Sequence, residues 1–321
     1  MLPKISICIP TYNRATFLKG TLTYALNQTV SDTCEILVVD NASTDDTADV
    51  MKAFQDARIR YERNSTNLGM TGNWNRCLEL ARGEYITIWS DDDIYYPDRI
   101  REQAAVLDTH PQVGLVYTAH HICDPTGQPV EEVWPFPKGH IWTGNKELEF
   151  LTRRCYLYSP LLRRSNLKVT GMFNTQLKYA HDWEMWLRFA LCGNMAYVDK
   201  LLMAYRIHPA QESAYVGQRN IVLSKDWCLA LESAFAHASP SSGPLQALKQ
   251  LGYCEVTQFY LWQTWGLILQ RHWKGAILSF NGALYALARA RWQFVPYTIR
   301  DAMQFYRKRR ANQLKYVFLT E

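Results

Sequence analysis

The feature that most constrains this chain is an alternation of short apolar runs and helical stripes that fills its first 117 residues. Ile5 to Ile9 is a continuous apolar run closed by Pro10, and Glu35-Ile36-Leu37-Val38-Val39 is a second, which stops on Asp40. Arg58 to Tyr61 offers a short third strand. Tyr85-Ile86-Thr87-Ile88-Trp89 forms a fourth and leads straight into Asp91-Asp92-Asp93. Runs of this length without polar alternation read as strands buried on both faces. Between them, Leu18, Leu22 and Ala25, and later Trp74, Cys77, Leu78 and Ala81, keep helical spacing. Ser43, three residues before Asp46, predicts a capping box opening a helix through Phe54, and Gly83 is expected to end the helix before the fourth strand. A helix from about Pro97 and a strand over Val113 to Tyr117 complete the pattern. Such alternation predicts an α/β fold with a mostly parallel, doubly wound sheet flanked by helices.

In sheets of that kind, ligands bind outside the carboxyl ends of the strands. Three polar groups fall at those ends: Thr11-Tyr12-Asn13-Arg14, Asp40-Asn41 and Asp91-Asp92-Asp93. All three are expected to line one cleft. Three adjacent carboxylates repel one another and call for a cation or a ring of donors, and Mg²⁺ or Mn²⁺ held by one or two carboxylates plus substrate phosphates would serve. A solvated turn with Asp93 capping a helix is the alternative. Asp40 is placed to accept hydrogen bonds from a nucleobase or a ribose hydroxyl, or else to cap the next helix. Tyr12 is placed to stack on a base, or else to pack on its own loop.

Further along, a proline- and aromatic-rich stretch, Trp134-Pro135-Phe136-Pro137, precedes an expected helix at about Asn145 to Arg154 and a strand through Leu162. Another helix opens at His181-Asp182. The dipole favours Asp182 and Glu184 in its first turn, and Asp182 is also a candidate general base. His208 is a candidate metal or diphosphate contact, with local packing as the alternative. His120, His121 and Cys123 lack a second ligand pair with zinc spacing.

The eight cysteines are scattered singly, several inside apolar runs, and read as small buried hydrophobes. A net charge of +5 over 321 residues does not suit a dedicated nucleic-acid binder. The amino terminus shows no apolar signal region, and no stretch reaches the ~20 apolar residues that a span requires. The expected location is the cytoplasm or the inner face of the membrane.

These motifs in register resemble family 2 glycosyltransferases with the GT-A fold, a Rossmann-like sheet here followed by a helical extension. The resemblance lies in Ile7 to Arg14, Ile36 to Asp45, Asn67-Leu68-Gly69 with Asn73, Ala81 to Ile86 leading into Ser90 to Asp93, His181 to Arg188, and Tyr205 to Pro209. It covers about residues 3 to 215. It implies a domain over 1–215 that performs inverting, single-displacement transfer from a nucleotide-diphosphate sugar, with uridine diphosphate the default carrier. The acceptor would be a glycan or a lipid-linked hydroxyl, in cell-surface polysaccharide synthesis. By position, Pro10, Thr11, Tyr12, Arg14, Asp40 and Asn73 would line the donor, and Asp91 would lie near the ribose and sugar. Asp92 or Asp93 would bind Mn²⁺ or Mg²⁺, and Asp182 would be the base. Because the Gln-x-x-Arg-Trp motif and the spans of processive synthases are missing, a single-addition transferase is favoured. A nucleotidyltransferase on a similar sheet, or a silent sugar-nucleotide binder, is the competing reading. The former would want a Gly- and Lys/Arg-rich loop where Thr11 to Arg14 stand.

Residues 216–321 read as all-helical, broken near Pro240 to Pro244 and restarted at Pro296, with Trp227, Trp262, Trp265, Trp273 and Trp292 and a basic run at Arg307-Lys308-Arg309-Arg310. Two readings stay open: a helical subdomain with tryptophans in its core, or a surface laid on anionic lipid. Homo-oligomerisation is a third.

Overall fold

The computed structural model describes residues 2–30, 34–134, 152, 157–209, 211, 220–237, 243–269 and 271–290. The first unit follows the expected alternation. Strand β1 (Ile5–Thr11) leads to helix α1 (Ala15–Leu26), β2 (Cys34–Asp40) to α2 (Thr47–Ala53), and β3 (Ile59–Arg63) to α3 (Gly69–Leu80). β4 (Tyr85–Ile88) then runs into a two-residue strand, β5 (Ile94–Tyr95), and α4 (Arg99–Thr109). These four main strands are parallel, in the order β3-β2-β1-β4. The chain therefore reverses its direction of travel across the sheet between β1 and β4, which opens a crevice at their carboxyl ends.

Beyond β4 the sheet is mixed. β6 (Val113–Cys123) pairs with β7 (Pro129–Val133) at one end, and β8 (Leu161–Arg163) is inserted antiparallel between β4 and β6. β9 (Asn194–Arg206) lies parallel to β6 and antiparallel to β5. The parallel expectation describes the first half. β8 departs from it because a three-residue strand carries too little apolar pattern to announce its direction.

Alternate side chains of each strand enter different core layers. Ile5, Ile7, Ile9, Ile36 and Val38 pack with Leu18, Leu22, Met51, Ile100 and Leu107 from α1, α2 and α4. Cys8, Leu37, Val39, Ile86 and Ile88 face the other way, onto Cys77 and Leu78 of α3 and Trp183, Met185, Trp186 and Leu187 of α6 (His181–Cys192). A four-residue helix, α5 (Leu167–Thr170), precedes α6. The second layer continues without a break into the carboxy-terminal helices α7 (Asn220–Ala236), α8 (Gly243–Leu269) and α9 (Trp273–Leu287) through Trp227, Leu231, Tyr253, Val256 and Tyr260. Among the described residues no helix is long and apolar enough to cross a membrane. Six of the seven described cysteines are buried, and Cys192 is exposed.

Two local expectations change. Ser43 does not build a capping box: its Oγ accepts the backbone N–H of Asn13 at 2.9 Å, and Asp46 starts α2 without a side-chain cap. The hydroxyl is drawn away because the loops after β1 and β2 are tied together, with Asn13 Oδ1 also accepting from Thr44 N and Asp45 Oδ2 from Ala15 N. Gly83 is required by close approach rather than by a helix cap. A Cβ there would sit 2.5 Å from Ser6 N and 2.8 Å from Ile5 C of the neighbouring strand. The expected helix around 145–154 lies outside the described residues apart from Thr152, which is helical. The restart at Pro296 and the basic run at 307–310 also lie outside them.

Candidate active site

The carboxyl ends of β1 and β4 are adjacent, and the residues just past them meet. Thr11 Oγ1 donates to Asp91 Oδ2 at 2.8 Å, and Thr21 of α1 donates to the Asp91 carbonyl at 2.9 Å. Arg14 lies within 3.5 Å of Asp91 Oδ1 and pairs more closely with Asp92 Oδ2. Asp92 also accepts from Ser90 Oγ, and His208 Nε2 stands 3.1 Å from its Oδ2. Asp93 turns the opposite way: its Oδ1 accepts the Arg206 N–H of β9 at 3.0 Å, while Arg206 Nε binds the Asp92 carbonyl at 2.9 Å. The chain bends through 91–93, so that Asp92 reaches His208 while Asp93 reaches the Arg206 N–H at the end of β9.

Charge in this cluster is unevenly held. Burial pushes the Asp91 carboxyl up to about 7, against the charge of Arg14, while the neighbouring Asp92 charge adds to the rise. Asp93 rises well above the usual carboxylate range for the same two reasons, burial and Asp92. Asp92 is held low: burial works against ionisation but is outweighed by the Ser90 hydrogen bond, the Arg14 charge and His208. Burial of Asp91 and Asp93, reinforced by the neighbouring Asp92 charge, leaves one carboxylate that ionises readily beside two that resist it.

The donor set fits a hard divalent cation in part. Asp92 and His208 bring a carboxylate oxygen and an imidazole nitrogen to the same spot, ligands compatible with Mn²⁺. Among the described residues no group of three His, Cys, Asp or Glu side chains could hold a metal ion. A site with two protein ligands leaves its remaining positions to water and substrate phosphates, the usual arrangement for such ions.

The second strand end is built for support. Asp40 is fully buried, and its carboxylate accepts from Tyr61 Oη at 2.6 Å, Arg63 Nε at 3.2 Å and Ser43 N at 2.8 Å. Asn73 is likewise committed, donating to the Val39 carbonyl and accepting from Asn64. Asn41 extends this amide network to Asn67 and Leu68. Tyr12, by contrast, is an exposed aromatic next to the partly buried Pro10, and Asn13 after it takes a left-handed φ of 54°.

Asp182 opens α6. The segment before it packs on α3, where Thr71 in the first turn donates to the Leu177 carbonyl at 3.2 Å and Asn75 exchanges two hydrogen bonds with Phe173. Since α3 begins at the carboxyl end of β3, this contact brings Asp182 to the same end of the sheet as Asp91, Asp92 and Asp93. The Asp182 side chain is partly buried, and its carboxylate accepts the adjacent Trp183 N–H at 2.6 Å. Burial raises its carboxyl to about 6, with a smaller push from Asp226. Glu184, two residues on, is a buried partner of Arg188 and Ser233.

Sequence reasoning missed Arg99. Its guanidinium is fully buried behind the cluster, donating to the Tyr158 and Ser159 carbonyls and to Thr118 Oγ1. An arginine in the first turn of a helix reads as surface, so no local signal marked it. Ser90, whose hydroxyl binds Asp92, was visible only as a motif neighbour. On β6, His120 and His121 diverge to different partners, Tyr158 and Tyr96.

Comparison with known proteins identifies the family and the fold. A family model described as Glycosyl transferase family 2 matches residues 6–166. An uncharacterised glycosyltransferase of Rickettsia typhi is 28% identical over 219 residues, a match spanning 65% of each chain. Escherichia coli chondroitin synthase is 26% identical over 209 residues, 64% of this chain but 29% of that longer one. Among solved structures, S. aureus TarS 1-349 superposes with a TM-score of 0.66 at 18% identity, covering 98% of this chain and 93% of that chain. The Pyrobaculum calidifontis mannosyltransferase PcManGT, solved with GDP-Man and Mn²⁺, gives 0.59 at 17% identity, covering 96% and 83%. Both share the GT-A architecture. With half the chain matched by the family model, this protein belongs to glycosyl transferase family 2.

Proposed function

We propose that this chain transfers a sugar from a nucleotide-diphosphate donor to an acceptor hydroxyl with inversion, in a single displacement. The observation that carries the proposal is the separation of two acidic centres at one end of the sheet. Asp92, ionised and paired with Arg14 and His208, belongs to the half that receives negative charge. Asp182, poised near 6 on another element, belongs to the half that receives a proton.

In this reading the donor lies over the carboxyl ends of β1 and β4. The exposed Tyr12 ring stacks on the base, and Thr11, Pro10 and Arg14 line the approach. Asp40 and Asn73 act one layer below, because their polar atoms already hold the loops that form the floor. Asp91, fixed by Thr11, faces the ribose and sugar. Asp92 and His208 would hold Mn²⁺ or Mg²⁺, with Asp93 locking the segment to β9. When bound, that cation neutralises charge that develops on the leaving diphosphate. Arg14 adds a guanidinium that favours the same charge. Asp182 takes the acceptor proton from the opposite face of the sugar, so that no protein acid is needed for departure. A carboxylate near 6 is ionised at neutral pH yet basic enough to accept that proton.

TarS has been solved with UDP-GlcNAc and PcManGT with GDP-Man and Mn²⁺. These neighbours support a nucleotide-sugar donor and a divalent ion here, with uridine diphosphate preferred. The acceptor is assigned as a glycan or lipid-linked hydroxyl in cell-surface polysaccharide synthesis, on the cytoplasmic side. The catalytic unit is assigned to 1–215, with 216–321 serving acceptor or surface contacts. Incubating the chain with Mn²⁺ and a panel of nucleotide sugars, and following nucleoside diphosphate release with acceptor present, tests the reading. Tight nucleotide binding with no release from any donor would leave a non-catalytic binder in its place.

A further inference from the structure

Helix α9 is built inside out. Its buried face consists of Gly275, Ala276, Ser279, Gly282, Ala283 and Ala286. That face is pressed close to its neighbours: Ser279 Oγ donates to the Tyr260 carbonyl of α8, and Ser224 Oγ of α7 donates to the Gly282 carbonyl. A Cβ at Gly282 would already meet Tyr260 at 3.1 Å and Ser224 at 3.2 Å. The bulky apolar residues are on the other face. Trp273, Ile277, Phe280 and Leu284, spaced at four, three and four residues, form one helical stripe, and Trp265 and Leu269 of α8, just before the turn, are exposed as well. These six side chains are each 45–62% exposed. A soluble helix normally buries its large residues and shows water its small and polar ones. A continuous exposed stripe of this kind marks a contact surface.

Charge identifies the partner. From Val256 through Arg300 there is no Asp or Glu, while Arg271, Lys274, Arg289, Arg291 and Arg300 are all basic. Residues 271–321 contain ten Lys and Arg against two Asp and Glu, a net +8, although the whole chain nets only +5, so the preceding 270 residues are net negative. Arg271 and Lys274, both exposed, stand at the turn between α8 and α9, on either side of Trp273 where the stripe begins. Tryptophan, phenylalanine and leucine on one face with cations beside them is the pattern of a helix lying in a lipid interface. A second copy docked by two-fold symmetry would bring these cations toward each other with no carboxylate between, whereas anionic headgroups would neutralise them.

We propose that the α8–α9 turn and the outer face of α9 form a docking surface for an anionic lipid bilayer, with the aromatic stripe immersed and Arg271 and Lys274 at the headgroups. In this arrangement the chain rests on the membrane through this face.

Sedimentation of the full chain with vesicles tests this directly, comparing phosphatidylcholine alone with phosphatidylcholine plus phosphatidylglycerol at low and high salt. The wild type is expected to pellet with the anionic vesicles, and less so as salt rises. The variant Ile277→Gln, Phe280→Gln, Leu284→Gln is expected to lose about tenfold or more of that partition, since removal of buried apolar area weakens insertion. Arg271→Glu with Lys274→Glu is expected to abolish the preference for anionic over neutral vesicles. Circular dichroism and thermal unfolding verify that each variant is folded, and if the apolar variant is not, the charge-reversal pair decides. Failure of the wild type to bind either vesicle overturns the proposal, as does unchanged binding by both variants. So does a dimer that the glutamine variant dissociates without any lipid partition, which would assign the stripe to a second copy. Vesicle binding is read without donor or acceptor, so its outcome is distinguishable from that of the transfer assay.

Discussion

His208 Nε2 lies 3.1 Å from Asp92 Oδ2, joining residues 116 positions apart at the mouth of the β1–β4 crevice. If this pair holds the divalent ion, His208→Ala and Asp92→Ala should each weaken the Mn²⁺ dependence of donor binding. The loss should be at least as large as the about 10–100-fold caused by removal of an outer-shell partner. Asp93→Asn, whose carboxylate is turned to β9, should leave the Mn²⁺ midpoint closer to wild type. Isothermal titration of nucleotide with and without Mn²⁺ checks the ranking, and a larger effect at Asp93 would reverse the assignment.

Asp182 should set the acid limb of the rate. With its carboxyl near 6, kcat is expected to fall about tenfold per pH unit below that value, as the base becomes protonated. Asp182→Asn should abolish turnover while nucleotide still binds. The sign for stability is opposite. A carboxyl raised in the folded state binds its proton more tightly there than when unfolded, so its contribution falls as pH rises from about 4 through 6. Asp182→Asn should therefore raise Tm at pH 7 and change it little at pH 4, which thermal melts at the two pH values would reveal.

Asp226 reaches from α7 to accept three consecutive N–H groups, from Lys178, Tyr179 and Ala180, just ahead of Asp182. Asp226→Ala leaves those donors without that acceptor, at about 1–3 kcal/mol for each one left buried and unpaired. Because the loop they belong to positions Asp182, kcat should fall while KM for the donor stays near wild type. Steady-state kinetics against both substrates distinguishes this from a general loss of folded protein.

Arg99→Met should destabilise the fold by about 1–3 kcal/mol, since the Tyr158 and Ser159 carbonyls and Thr118 lose a buried donor. Urea unfolding measures it.

Gly83→Ala should also destabilise, by about 1–3 kcal/mol, because the new methyl meets Ser6 N at 2.5 Å and backbone cannot step aside as a side chain can. The same denaturant titration applies, and a neutral result would show that β1 and the 81–84 turn can separate.

Some of this architecture is local and therefore written in the order of residues. The apolar runs at Ile5, Ile36 and Tyr85 must be covered on both faces, which dictates parallel strands with helices either side. Where each run stops, at Thr11, Asp40 or Asp91, follows from the same patterning, and so does the end of the sheet at which polar chemistry collects. What the tertiary structure decided is which of those polar groups is available. Asp40 and Asp92 look alike in sequence, yet Tyr61, Arg63 and Ser43 engage one while the other meets His208 and Arg14. Asp93 is taken up by Arg206 because β9 returns to pair with β5, a contact across more than a hundred residues. The tryptophans of the carboxy-terminal helices divide in the same manner, Trp227 buried and Trp265 and Trp273 exposed. Periodicity establishes that a helix has two faces; only packing, here the close fit of Gly282 on Tyr260 and Ser224, determines which of them turns inward.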